Sequence, residues 1–235
     1  IITAVSDNLT DGTTNIISIP GPRSKVVITA VPVTLIANGT DVTTVTVKIS
    51  DLNNNIVVTA TDTVTLTIAG QGTWDDGTTI PVIRSSVNGV STVKIKSTLS
   101  GSIVVGVTTD WWLSSSNVTI TATPGLPVKI RVTATPVSIE SDGTSRSQVQ
   151  AVLLDGSNNV VTIATNAVTF SLLTGTSPVT WSDGTTVSSR VYPINGVSNI
   201  QVKSSTNTGV ATIVATGENL QAGTTFLYTV PGAAG

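Results

Sequence analysis

The sequence predicts an all-β protein built of tandem antiparallel β-sandwiches, and three observations carry that prediction. Apolar and polar residues alternate with a period of two, turn-forming residues interrupt that alternation about every ten residues, and the whole series occurs twice. The alternating runs include TVTVKIS (Thr44–Ser50), TVTLTIA (Thr63–Ala69), STVKIKS (Ser91–Ser97) and NVTITAT (Asn117–Thr123). Each run buries one face and wets the other, as strands of a sandwich do. Between them stand residues that accept positive φ or cap the backbone: Asn38-Gly39, Asn53-Asn54-Asn55, Asp76-Gly77, Asn88-Gly89 and Ser100-Gly101. No apolar period of three to four residues is sustained, so no helix longer than a turn or two is expected.

The duplication sets the domain organisation. VVITAVPVTLIANGT (Val26–Thr40) matches KIRVTATPVSIESDGT (Lys129–Thr144), and SDLNNNIVV (Ser50–Val58) matches LDGSNNVVT (Leu154–Thr162). WDDGTT (Trp74–Thr79) matches WSDGTT (Trp181–Thr186), and SVNGVSTVKIKST (Ser86–Thr98) matches PINGVSNIQVKSS (Pro193–Ser205). A repeat of about 105 residues is the size of one sandwich. The expected division is residues 1–22, an orphan terminal hairpin, then sandwiches at 23–125 and 126–235, with the boundary near Pro124-Gly125-Leu126-Pro127. The expected inward sets are Val45, Val47, Ile49 with Val64, Leu66, Ile68, and Val149, Ala151, Leu153 with Val168, Phe170, Leu172.

Residues 1–21 repeat the chain's own ending. IITAVSDNLTDGTTNIISIPG lies over TIVATGENLQAGTTFLYTVPG at an offset of 211 residues, with Asn8-Leu9 over Asn219-Leu220 and Pro20-Gly21 over Pro231-Gly232. This stretch reads as a last hairpin without the strands that should precede it. Exposed strands carrying Ile2, Ile16, Ile17 and Ile19 invite pairing with another chain, so these four are the expected inter-subunit contacts.

Composition narrows the function. The 235 residues include 39% hydrophobic and only 10% charged residues, with a net charge of −2 and no His or Cys. Scattered Lys and Arg give no footprint for nucleic acid or an anionic membrane. Without imidazole or thiol there are no disulfides, no Cys nucleophiles and no His bases, and a hydroxyl nucleophile lacks its usual activator. No catalytic residue, cofactor or metal is expected, and no run approaches the length of a membrane span. Lys48, Lys94, Lys96 and Lys203 alternate with apolar residues and are expected to face solvent.

The repeated motifs resemble a known family. A DGT-type turn before a Val-Thr strand, D-x-x-x-N-x-V, VTFS (Val168–Ser171), N-G-V-x-x-(V/I)-x-(V/I) and GVATIVAT (Gly209–Thr216) together are similar to the bacterial Ig-like repeats of the invasin and intimin type. The resemblance runs from about Lys25 to Pro231 and implies tandem Ig-like sandwiches that serve as a stalk or spacer. In that family, receptor binding belongs to a distal lectin-like module with cysteines, so no binding residues carry over.

Individual residues have competing readings. Trp111-Trp112, in DWWLSSS between the last two strands of the first repeat, is expected at an inter-domain or inter-subunit contact, the alternative being a sugar or receptor site. Trp74 and Trp181 occupy one position in both repeats and read as packing plugs. Asp75-Asp76 offers carboxylates for Ca²⁺, but the second repeat has Ser182-Asp183 and would lose a ligand. Asn8, Asn38 and Asn117 begin N-x-T sequons at loops or strand edges, compatible with glycans.

The leading expectation is an extracellular, cell-surface structural protein whose partners are copies of itself, joined head-to-tail into a filament or stalk. The alternatives are an adhesin that binds a glycan or host surface through the Trp111-Trp112 loop, and a spacer from a large secreted enzyme.

Overall fold

The computed structural model describes residues 1–110, 116–173 and 178–232, and no helix occurs among them. Two short strands come first, β1 (Ile2–Ala4) and β2 (Gly12–Thr14), which pair with each other and with no other strand among the described residues. The first repeat then supplies β3 (Lys25–Val31), β4 (Thr34–Ile36), β5 (Thr43–Ser50), β6 (Thr63–Gly70), β7 (Thr73–Trp74), β8 (Val82–Ser85), β9 (Val90–Lys96), β10 (Gly101–Thr109) and β11 (Ser116–Thr123). These form a sheet of order β3-β5-β9-β7 and a second of order β4-β11-β10-β6-β8.

The second repeat supplies β12 (Lys129–Thr135), β13 (Ser138–Glu140), β14 (Arg146–Leu154), β15 (Val168–Leu172), β16 (Val179–Trp181), β17 (Ser189–Val191), β18 (Val197–Ser204), β19 (Gly209–Thr216) and β20 (Gly223–Val230). Its sheets, β12-β14-β18-β16 and β13-β20-β19-β15-β17, reproduce the first repeat strand for strand. By contact, the chain falls into two compact units. One holds Ile1–Thr34, Val42–Ile95 and Ser102–Ile120, the other Leu35–Asp41, Lys96–Gly101 and Thr121–Gly235.

The period of two becomes the core. In the first repeat Val45, Val47 and Ile49 of β5 and Val64 and Leu66 of β6 are buried, with Ile28, Ile95, Ile103, Val105 and Ile120 from neighbouring strands. In the second repeat Val149, Ala151, Leu153, Val168, Phe170, Leu172, Ile213 and Leu227 belong to one apolar cluster. Full burial of each such side chain stabilises by about 1.5–3 kcal/mol before conformational entropy is subtracted. Ile68 departs from its expected place: it is only half-buried, because its end of β6 runs out beside Gly72, where Ile68 and Ile103 close over the missing Cβ. The four strand lysines stay out of the core.

Local chemistry fixes the turns. Asn88-Gly89 and Asn195-Gly196 both have positive φ at both residues, and a Cβ on either glycine would lie 2.5 Å from a backbone oxygen, Val57 O or Val161 O. Trp74 and Trp181 are buried plugs, and each indole Nε1–H donates to a carbonyl six residues on, Ile80 O or Val187 O, at 2.7 Å. The polar edge of a buried Trp needs such a partner. Asp76 and Asp183 close the following turns by accepting from Thr78 and Thr185.

Candidate functional site

Two features set the chain's first residues and its turns apart from ordinary sandwich surface. The first is the hairpin at residues 1–21. Its pairing, Ile2 with Thr14, Thr3 with Thr13 and Ala4 with Gly12, is the pairing of Ile213 with Thr225, Val214 with Thr224 and Ala215 with Gly223 in the closing hairpin. Here the likeness stops. β20 continues to Val230, held between β19 and β13, whereas β2 ends at Thr14 and residues 15–19 form no strand. A strand without a second neighbour loses half its ladder, which accounts for the shorter pairing.

Burial divides the four isoleucines by face. Ile2, Ile16, Ile17 and Ile19 are all exposed, by 52% to 82%. Their counterparts are Ile213, Leu227, Tyr228 and Val230: the first two are fully buried, while Tyr228 and Val230 are 46% and 41% exposed. Ile2, Ala4 and Ile16 therefore carry the face that a sandwich would bury, and Ile17 and Ile19 the outward face.

The second feature is a pair of Asp-x-x-x-Asn turns, Asp51 to Asn55 and Asp155 to Asn159. In the sequence the spacing shows only as one motif of the family resemblance, and its task appears in the geometry. Asp51 Oδ1 accepts from the backbone N–H of Asn53 and Asn55, both at 2.9 Å, and Oδ2 accepts from Asn55 Nδ2 at 3.0 Å and Gly21 N at 2.8 Å. Asp155 makes the same four bonds, to Ser157 N, Asn159 N, Asn159 Nδ2 and Gly125 N. Asn54 and Asn158 hold positive φ in the two turns.

The asparagines then differ. Within the second unit, Asn159 Nδ2 also donates to Ala37 O at 3.2 Å and Thr98 O at 3.0 Å, and its Oδ1 accepts from Ser100 N at 2.7 Å. Asn159 is 6% exposed, whereas Asn55 is exposed, its amide donating to Asp51.

These bonds act on both carboxyls. The Asn55 side chain and the Gly21 N–H hold Asp51 at about 2. Burial pushes Asp155 up, and the bonds from Asn159, Gly125 and Ser157 more than offset it, leaving it below the usual carboxylate range. A depressed folded value means stability that is present above the unfolded value of about 3.9 and lost as pH falls through the folded one. The thermal midpoint is accordingly expected to drop as pH is lowered from about 4 toward 2, and Asp51→Asn to flatten that decline. Thermal melts across this range check it.

The remaining candidates are surface features. Asn8, Asn38 and Asn117 are exposed, and Asn38 Oδ1 accepts from Thr40 N, Thr40 Oγ1 and Asp41 N. Trp111 and Trp112 lie outside the described residues. Among the described residues no three acidic side chains gather where a metal ion could sit.

Comparison with known proteins follows the repeat. A search of the curated proteins gives no match. Among solved structures the chain is similar to invasin, a bacterial integrin-binding protein, with 19% identity over 88% of this chain and 40% of that one, TM-score 0.42. It is similar to the adhesin InvE of Yersinia pseudotuberculosis, with 23% identity over 87% and 58%, TM-score 0.42. A β-glucuronidase from glycoside hydrolase family 2 shares 18% identity over 91% and 21%, TM-score 0.43. The chain thus spans less than two thirds of each. The family model described as invasin, domain 3, matches twice in succession, over residues 22–125 and 126–230, and the chain belongs to that family.

Proposed function

We propose that this chain is a non-catalytic stretch of an extracellular stalk or filament at the cell surface, in which Ig-like repeats follow one another head-to-tail. The observation that carries the reading is the hairpin at residues 1–21, which has the register of the closing hairpin and pairs with no other strand among the described residues. Its place is the final strand pair of an Ig-like repeat, so that each junction is made by β-strand contacts along the array. Membership of the invasin domain 3 family and the lack of His and Cys support a structural role over a catalytic one.

On intact cells of the source organism, antibodies against the folded chain are expected to label the surface, on rods or filaments visible by electron microscopy. Antigen found only after lysis contradicts the reading. The junction itself has a sharper test. Ile16→Asp should abolish head-to-tail association, because its counterpart Leu227 is fully buried, while Ile17→Asp should leave it within about twofold of wild type, because the counterpart Tyr228 faces solvent. Light scattering of the purified variants reads the difference, and equal effects of the two would remove the strand-facing argument.

A second reading, an adhesin that recognises a glycan or receptor through Trp111-Trp112, draws on the same family membership. A glycan-array signal lost in the Trp111→Ala, Trp112→Ala double variant would favour it.

A further inference from the structure

We propose that Asn117 carries a covalently attached sugar chain whose first residue lies over Gly106, a modification that needs from the stalk reading only that the chain is exported. The three N-x-T sequons are not equivalent in the structure, and turn chemistry accounts for two of them. Asn8 holds positive φ between β1 and β2, and its counterpart Asn219 holds the same conformation although Gln221 stands where Thr10 does. Asn38 caps the turn after β4 by accepting from Thr40 N and Asp41 N. Asp142, at the same place in the second repeat, caps its own turn by accepting from Thr144 N and Ser145 N. An Asn in either turn needs no further reason.

Asn117 is different. It lies inside β11, an extended strand, where Asn is a poor former and no turn or cap calls for it. Its counterpart in β20 is Thr224, an ordinary strand residue. Asn117 and Thr119 are both exposed, with Val118 half-buried between them, so the acceptor amide and the sequon hydroxyl share the outward face.

A second break in strand chemistry stands beside the first. Gly106 lies in the middle of β10, opposite Thr67 of β6. Val107 pairs with Leu66 as Ala215 pairs with Phe170, so Gly106 holds the place of Val214, and Val214 pairs with Thr224 and Ser171. Asn117, Gly106 and Thr67 therefore make one row across the sheet, where the second repeat has Thr224, Val214 and Ser171. Gly106 has no positive φ, and a Cβ there would meet only Thr67 Oγ1, at 3.0 Å, the end of a side chain rather than backbone. A strand glycine that neither conformation nor backbone contact demands marks a place where another group comes close.

The row opens as a groove of about 440 Å³ lined by Thr67, Gly106, Thr108, Ser116 and Asn117, within the range of about 300–1,000 Å³ that small ligands fill. Hydroxyl and amide groups without charge line it, which suits a neutral sugar. One occupant explains both departures, since a sugar on Asn117 takes the space that a valine at 106 would fill. The step joins Asn117 Nδ2 to the anomeric carbon of a sugar held on a phosphate carrier. A C–N bond forms and the C–O bond to the phosphate breaks; the carrier phosphate leaves with the electron pair, and one amide proton passes to a base of the transferase. Carrier and transferase belong to the exporting cell.

Mass spectrometry of tryptic peptides from the native protein tests the proposal, because each sequon lies on a separate peptide and that of Asn117 is 97–129. This peptide is expected to be heavier by hexose or N-acetylhexosamine units, with the increment lost in Asn117→Gln and Thr119→Ala and kept in Thr119→Ser. Peptide 97–129 at its unmodified mass overturns the proposal, as does an increment that persists in Asn117→Gln. Antibody labelling of cells reports on export separately, so an unmodified peptide from surface-labelled protein leaves the stalk reading standing. Placement over Gly106 has its own readout. Gly106→Val should lower the thermal midpoint of the glycosylated chain more than that of Asn117→Gln, and equal shifts overturn the placement.

Discussion

Phe170→Ala is expected to destabilise the second repeat by about 3–5 kcal/mol, measured by urea or thermal unfolding. Phe170 is fully buried at the centre of β15, where Ala215 and Ser189 flank it on the neighbouring strands and the apolar cluster surrounds it. Removing the ring leaves a cavity that β-sheet backbones on both sides cannot collapse into. The loss is a large share of the stability of an ordinary domain, about 5–15 kcal/mol, so the variant should unfold that repeat well before the other. The counterpart Leu66 is also fully buried but smaller, and Leu66→Ala should cost less in its own repeat. A change below about 1 kcal/mol for Phe170→Ala would contradict the packing described here.

Gly223→Val is expected to cost about 3 kcal/mol or more, at the upper end of overpacking effects. A Cβ at Gly223 would lie 2.4 Å from Ile130 O and 2.7 Å from a Val132 methyl. The first of these atoms is backbone and cannot turn aside. Gly12 holds the same place in the opening hairpin and has nothing within 4 Å, so Gly12→Val should change the stability of the chain by less than about 0.5 kcal/mol. The pair separates two roles of one motif. Under the proposed head-to-tail junction Gly12→Val is nevertheless expected to block association, since a receiving sandwich would bring the counterpart of the Ile130 carbonyl against it. Unfolding curves and light scattering on the two variants read both consequences.

Much of this was legible in the sequence because a period of two is a direct image of a two-faced sheet. Val45, Val47, Leu66, Phe170 and Leu153 are where the alternation put them, and the repeated Trp before an Asp-Gly turn is the plug its recurrence implied. Ile68 shows the limit: alternation says which face a side chain takes but not where the opposing layer ends. The four isoleucines of the opening hairpin show another. Ile16 and Ile17 are adjacent and equally apolar, and only the burial of Leu227 against the exposure of Tyr228 assigns their faces. The Asp-x-x-x-Asn turns were visible as a spacing, but the difference between Asn55 and Asn159 lies in what loops 35–41 and 96–101 bring to the second unit, which no local pattern encodes.

Residues 1–21 are proposed to close an Ig-like sandwich in the assembled protein. Amide hydrogen exchange on native assembled material, followed by mass spectrometry, tests it most directly. Residues 2–4 and 12–16 are expected to be protected to the level of residues 213–215 and 223–227, with protection lost on disassembly. Exchange of residues 2–16 at the rate of an unstructured peptide within intact filaments or stalks would contradict the account.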